Sequence, residues 1–193
     1  MGRAEWQNPA QPVTGPAPRQ QARQGVAHWP GSSAIPKDIA GWLRSMQNDW
    51  VVNRGFSLGY WALVDQTGTA WQIRGPGPTP GVFNAAANPG RLQNAGNAND
   101  WTAPILFAAT TPAGQASPAA LATATALWAD WGIMVRPVPH SALDPTSCCG
   151  PGLIGQINAG LLDPTQPPTP PPPPPSTEVS MIAIDHKPGT PAW

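Results

Sequence analysis

Apolar positions along this chain change their period several times, and each change marks an element. Val26-Ala27-His28-Trp29 is a short, nearly continuous apolar run closed by Pro30-Gly31-Ser32-Ser33. That is the pattern of a buried strand ending in a turn, and it leaves His28 at the strand's exit. Ile39, Trp42, Leu43, Met46 and Trp50 recur at spacings of three and four. They predict an amphipathic helix from residue 36 to about 50, with Pro36 in its first turn and Ser33 nearby as a candidate cap. Residues 59–64 and 70–74 are rich in aromatic and branched side chains, and Asp65-Gln66-Thr67-Gly68 between them is turn chemistry, so a β-hairpin is expected. Residues 76–100 carry Gly, Pro and Asn without a period and read as a long loop over one face, a feature that is usually functional. A strand is expected at 105–109. Ser117-Pro118 then opens a helix with Leu121, Ala124, Leu127, Trp128 and Trp131 on its inner side and Gly132 closing it. Ile133-Met134-Val135 reads as the last core strand, and Leu153, Ile154, Ile157 and Leu161 as a short closing helix.

Strands interleaved with helices predict an α/β domain over residues 25–163, a mixed central β-sheet flanked by helices in three layers. Residues 1–24, rich in Pro, Gln, Ala and Gly, read as an extended arm that lies on the domain or stays loose in solvent. Residues 164–175 hold nine prolines in twelve positions, a stiff polyproline II linker. Residues 176–193, with the apolar Met181-Ile182-Ala183-Ile184, are too few to fold alone. They read as a peptide that docks on a partner or as the start of a further module.

Composition adds limits. At 193 residues the chain accommodates one domain with a proper core, and 40% hydrophobic residues supply that core despite 28 prolines and 20 glycines. Ten basic residues balance ten acidic ones, so no field draws the protein to nucleic acid or to an anionic membrane surface. No stretch approaches the roughly 20 apolar residues of a membrane span, and the first residues lack the apolar run of a signal peptide. The expected localisation is therefore synthesis in the cytoplasm, with any export relying on something outside the chain. The two cysteines, Cys148 and Cys149, are adjacent, which is poor geometry for a structural disulfide and suits one thiolate serving as a metal ligand.

His140 precedes Cys148 by eight positions across a Pro-containing turn, so imidazole and thiolate can fold back onto one point. With three histidines in the chain, His28 is the natural third ligand. Three protein ligands leave a tetrahedral Zn2+ one open position, the mark of a catalytic rather than a structural site.

Together the segments Val26 to Ser32, Gly59-Tyr60-Trp61-Ala62-Leu63-Val64-Asp65-Gln66-Thr67-Gly68 running into Ile73-Arg74-Gly75, and His140 to Gly150 resemble, in order, the zinc-dependent N-acetylmuramoyl-L-alanine amidases of the T7-lysozyme and peptidoglycan-recognition type. The resemblance implies that His28, His140 and Cys148 hold zinc and that Tyr60 sits beside the metal. It puts Thr146 where the family has a catalytic Lys or Thr, although Thr146 also reads as a residue that closes the turn. The implied reaction is hydrolysis of the amide between N-acetylmuramic acid and L-alanine in bacterial peptidoglycan. Relatives read Cys-Pro-Gly where this chain has Cys148-Cys149-Gly150-Pro151-Gly152. The thiolate is therefore Cys148 or Cys149, and Cys148 is preferred because it keeps the spacing from His140 and from Thr146. Near Asn84 relatives carry a groove histidine; Asn84 can still hydrogen-bond peptide or sugar. Arg74 reads either as a fork for a stem-peptide carboxylate or as a solvated strand end. Trp29 and Trp61 are expected to line the groove, whereas Trp42, Trp50, Trp128 and Trp131 lie at core spacing.

The leading expectation is a bacteriophage endolysin, with the proline-rich tail leading to a wall-binding or virion partner. One rival is a peptidoglycan-binding protein without hydrolysis, and such proteins usually lack the cysteine ligand. The other is a tail structural subunit carrying this domain, which the proline-rich ends support.

Overall fold

The computed structural model describes residues 1–2, 5–7, 22–31, 37–54, 58–73, 102–109 and 115–166. Strand β1 (Gln24–His28) is followed by helix α1 (Ile39–Gln47), which runs on as a π-helical stretch, Asn48–Asn53. Strands β2 (Ala62–Val64), β3 (Ala70–Gln72) and β4 (Thr102–Phe107) precede helix α2 (Pro118–Asp130). The two-residue strand β5 (Val138–Pro139), a 3-10 turn His140–Ala142 and helix α3 (Pro151–Asn158) complete the fold.

The strands form one mixed sheet in the order β3-β2-β4-β1-β5. β1 runs parallel to both β4 and β5, β2 runs parallel to β4, and β2–β3 is antiparallel. Leu63 and Leu106 pack beneath α1 with Ile39 and Leu43. Val64, Ile105 and Phe107 pack against Leu121, Ala124 and Trp128 of α2 and Leu153 and Ile157 of α3. The sheet is thus the middle of the three layers that the sequence predicts. Among the described residues no helix is long and apolar enough to cross a membrane.

Local chemistry explains the helix ends. The Asp38 carboxylate accepts the Gly41 N–H at 2.8 Å and caps α1, so the cap is Asp38; Ser33 and Pro36 lie outside the described residues. Ser117 accepts from the Ala120 N–H at 3.0 Å and Pro118 fills the first position of α2. At the far end of α2, Gly132 adopts φ +77°. Its N–H bonds the Ala129 carbonyl and the Ile133 N–H bonds the Trp128 carbonyl, both at 2.9 Å, a Schellman closure.

That closure overturns the strand expected at Ile133-Met134-Val135. Ile133 is buried as the apolar anchor of the helix end, while Met134 and Val135 are 53% and 47% exposed. The pairing strand is Val138–Pro139, three residues further on. β4 also starts earlier than expected, at Thr102, because Thr102 to Leu106 pair with Gln24 to His28. At the end of α3 the buried leucine is Leu162 rather than Leu161. Pro164 to Gln166 form a turn on Asp163, whose carboxylate accepts the Thr165 N–H, so the linker does not begin as polyproline II. The remaining linker, the tail from 176 onward and the 76–100 loop lie outside the described residues.

At the other edge of the sheet, Met1 lies along β3. The Gln72 N–H donates to the Met1 carbonyl at 3.0 Å, and the Trp6 indole donates to the Gln72 carbonyl at 2.9 Å. Trp6 is fully buried in the cluster under α1, so this part of the arm lies on the domain.

Candidate metal centre

Two parallel strands bring the histidines together. β1 and β5 are in register with Ala27 opposite Pro139, so the residues that follow, His28 and His140, leave adjacent strands at the same end of the sheet. Their rings lie 4.3 Å apart, centroid to centroid. Open parallel sheets commonly bind ligands at that carboxyl end.

After His140 the chain turns tightly, with the Leu143 and Asp144 N–H groups both returning to the His140 carbonyl at 2.9 and 3.0 Å. The Thr146 hydroxyl accepts the Cys148 N–H at 3.1 Å and shapes the approach of the thiolate. Cys148 Sγ accepts the Trp29 N–H at 3.3 Å and lies 3.6 Å from His28 Nδ1. One ligand atom from each of His28, His140 and Cys148 then falls within 4.8 Å of the others. Cys149 is fully buried, with its thiol on the Ala27 carbonyl, and takes no part in this cluster.

Burial lowers the pKa of His28, which is 4% exposed, with the nearby Cys148 opposing the shift; the ring is held neutral, as a metal ligand must be. Cys148 is held well below the ordinary thiol range, chiefly by the neighbouring Cys149 side chain and then by the two histidines, with burial opposing. Cys149 is pushed upward by the neighbouring Cys148 sulfur and by burial. The pair thus divides into one thiolate and one retained thiol.

The donor set fits zinc: two imidazoles and one thiolate. His140 Nδ1 supports that fit independently. It is buried and bonds no group among the described residues, a vacancy in its hydrogen bonding that a cation on the cluster would fill.

The Tyr60 ring meets His28 edge-on at 5.1 Å. Burial, with help from the Cys148 charge, raises its pKa, so the phenol keeps its proton. Trp50 packs against Tyr60 at 5.7 Å. Trp50 also packs against the core cluster under α1, in keeping with its spacing, although it lies on the π-helical stretch rather than on α1 itself. Trp29 is half-buried beside Cys148, with its indole donating to the Ala109 carbonyl at 3.2 Å. Trp61 is placed differently from the expectation. It is 7% exposed and packs 5.2 Å from Trp131 in the core under α2, because the chain bends just before β2. Arg74 and Asn84 lie outside the described residues.

No family model matches the sequence, and no curated protein matches it. Solved structures do. Wild-type Drosophila PGRP-LB superposes with a TM-score of 0.64 at 18% identity, covering 84% of this chain and 94% of that one. Human PGRP-IβC, solved in complex with glycosamyl muramyl pentapeptide, gives 0.60 at 20% identity over 82% and 93%. The N-acetylmuramoyl-L-alanine amidase LysC from Clostridium intestinale gives 0.52 at 16% identity over 78% and 92%. The chain has the amidase and peptidoglycan-recognition fold. Its His28, His140 and Cys148 cluster sits at the carboxyl end of that fold's parallel strands.

Proposed function

We propose that the protein is a zinc-dependent amidase that hydrolyses the bond between N-acetylmuramic acid and L-alanine in bacterial peptidoglycan. The observation that carries this reading is the convergence of His28, His140 and Cys148, with the orphaned His140 Nδ1 among them. The muramyl peptide held by the human neighbour and the activity named for the clostridial one support the substrate class.

His28, His140 and Cys148 would hold Zn2+, which when bound supplies a Lewis acid for the scissile carbonyl and makes water nucleophilic near neutral pH. The chain's own groups do the rest. Burial keeps His28 neutral and ready to donate a lone pair, and Cys149 together with the histidines keeps Cys148 ionised. Tyr60, still protonated, directs an O–H toward charge developing on the carbonyl oxygen. Thr146 fixes the Cys148 backbone, and Trp29 offers an apolar wall beside the cluster. Arg74 and Asn84 are proposed to contact the stem peptide.

A dye-release assay on purified cell wall, run with and without chelator, tests the reaction. Zinc-dependent release of stem peptides is expected; none under any metal condition ends the proposal. Binding without hydrolysis is the second reading, favoured by the ligand-bound human neighbour. Cys148→Ser separates the two, since it should abolish cleavage and spare wall binding. The proposed setting is phage lysis, with the protein made in the host cytoplasm and acting at the host wall. Its presence in purified virions would mark it as tail-associated, and its confinement to lysates as an endolysin.

A further inference from the structure

We propose that Cys148 and Cys149 form a thiol-modification site that a low-molecular-weight disulfide closes to a Cys148–Cys149 disulfide when no metal is bound. Neighbouring side chains on an extended backbone point to opposite faces. Here Cys149 has φ +66°, the only non-glycine positive φ among the described residues, and the alternation is broken. Cys148 Sγ sits on the Trp29 N–H while the Cys149 thiol sits on the Ala27 carbonyl. In an extended strand the carbonyl of one residue and the amide two residues on face the same edge. Both sulfurs therefore dock at the carboxyl end of β1, on backbone groups on either side of His28.

Both cysteines are free, and they differ in access. Cys148 is half-buried and Cys149 fully buried, so an incoming reagent meets Cys148 first. The Cys148 thiolate attacks one sulfur of glutathione disulfide. That S–S bond breaks, one glutathione thiolate leaves, and a mixed disulfide stands on Cys148. Cys149 then attacks the Cys148 sulfur, its proton passing to the second departing glutathione. Two protein thiols lose two electrons, and one glutathione disulfide becomes two glutathiones. A ring closed between adjacent residues is strained and hence readily reduced, which makes the site reversible rather than a structural staple. A cation on Cys148 withholds the attacking sulfur. This protective effect rests on the reading of Cys148 as a metal ligand; the thiol exchange does not.

The experiment exposes full-length protein, chelator-treated or zinc-loaded, to glutathione disulfide, followed by intact mass and non-reducing peptide mapping. The metal-free protein should lose two hydrogens, show a Cys148–Cys149 link and return to two free thiols with dithiothreitol. Cys149→Ser should stop with one glutathionyl group on Cys148, and Cys148→Ser should not react. Zinc loading should slow the wild-type reaction several-fold. A stable glutathionyl group on metal-free wild type, or a disulfide between two molecules instead of within one, overturns the proposal. Because the metal-free arm needs neither zinc nor peptidoglycan, it reports on the thiol pair even if the amidase reading fails.

Discussion

Replacing His140 by leucine should make the metal-free protein more stable and the zinc-loaded protein relatively less so. His140 Nδ1 is buried without a partner among the described residues. Such a group costs about 1–3 kcal/mol, and leucine removes the polar atom while keeping side-chain bulk. For a chain of this size each kcal/mol moves the melting temperature by about 2–4 °C, so the variant in chelator should melt roughly 2–12 °C above wild type. Zinc at a hundredfold excess over its dissociation constant stabilises a competent site by about 2.7 kcal/mol, or roughly 5–11 °C on the same scale. Wild type should gain that increment and His140→Leu almost none. Differential scanning calorimetry of both proteins, in chelator and in graded zinc, reads all four values. A wild-type melting temperature indifferent to zinc, or a variant less stable than wild type in chelator, would refute the reasoning.

Tyr60→Phe keeps the ring against His28 and deletes the donor, so kcat on cell wall should fall by about 10²–10³ with KM little changed and circular dichroism unaltered; unchanged kcat would remove Tyr60 from the chemistry. Because burial lowers the His28 pKa, the unfolded chain takes up a proton below about pH 6.5 that the folded protein resists. The contribution of His28 is present above that pH and is lost as pH falls through the window below it. Urea midpoints of metal-free protein at pH 7.5, 6.5 and 5.5 should fall more steeply across the lower interval, and His28→Asn should abolish that steepening. Gly25→Ala sets a methyl 2.8 Å from the Trp128 ring and should cost about 1–3 kcal/mol in urea denaturation. In a Trp128→Leu background the penalty should largely vanish, and an equal penalty in both backgrounds would contradict the contact.

Much of the centre was readable because its determinants are local. His28 ends an apolar run, His140 and Cys148 share one short loop, and Ser117-Pro118 and Gly132 are end signals whose chemistry does not depend on the rest of the fold. The failures come from residues whose roles are set at a distance. Ile133 is apolar because it seals the end of α2, which periodicity cannot tell from a strand. β5 has two residues, one of them proline, and exists only through β1. Trp61 looked like a groove residue until a bend sent it beneath α2. Trp6, set in a segment that reads as arm, is buried because β3 presents it a carbonyl. Cys149 docks on β1 through a left-handed backbone that no spacing announces.

The separation of the ligands also bears on biosynthesis. His28 and Cys148 are 120 positions apart, and β1 cannot complete its pairing until β4 and β5 exist. Translated at about 5–20 residues per second, a nascent chain carries its first ligand for roughly 6–24 s before the last one is made. Any cation-dependent activity is therefore withheld from the growing polypeptide and switches on only with nearly the whole domain in hand.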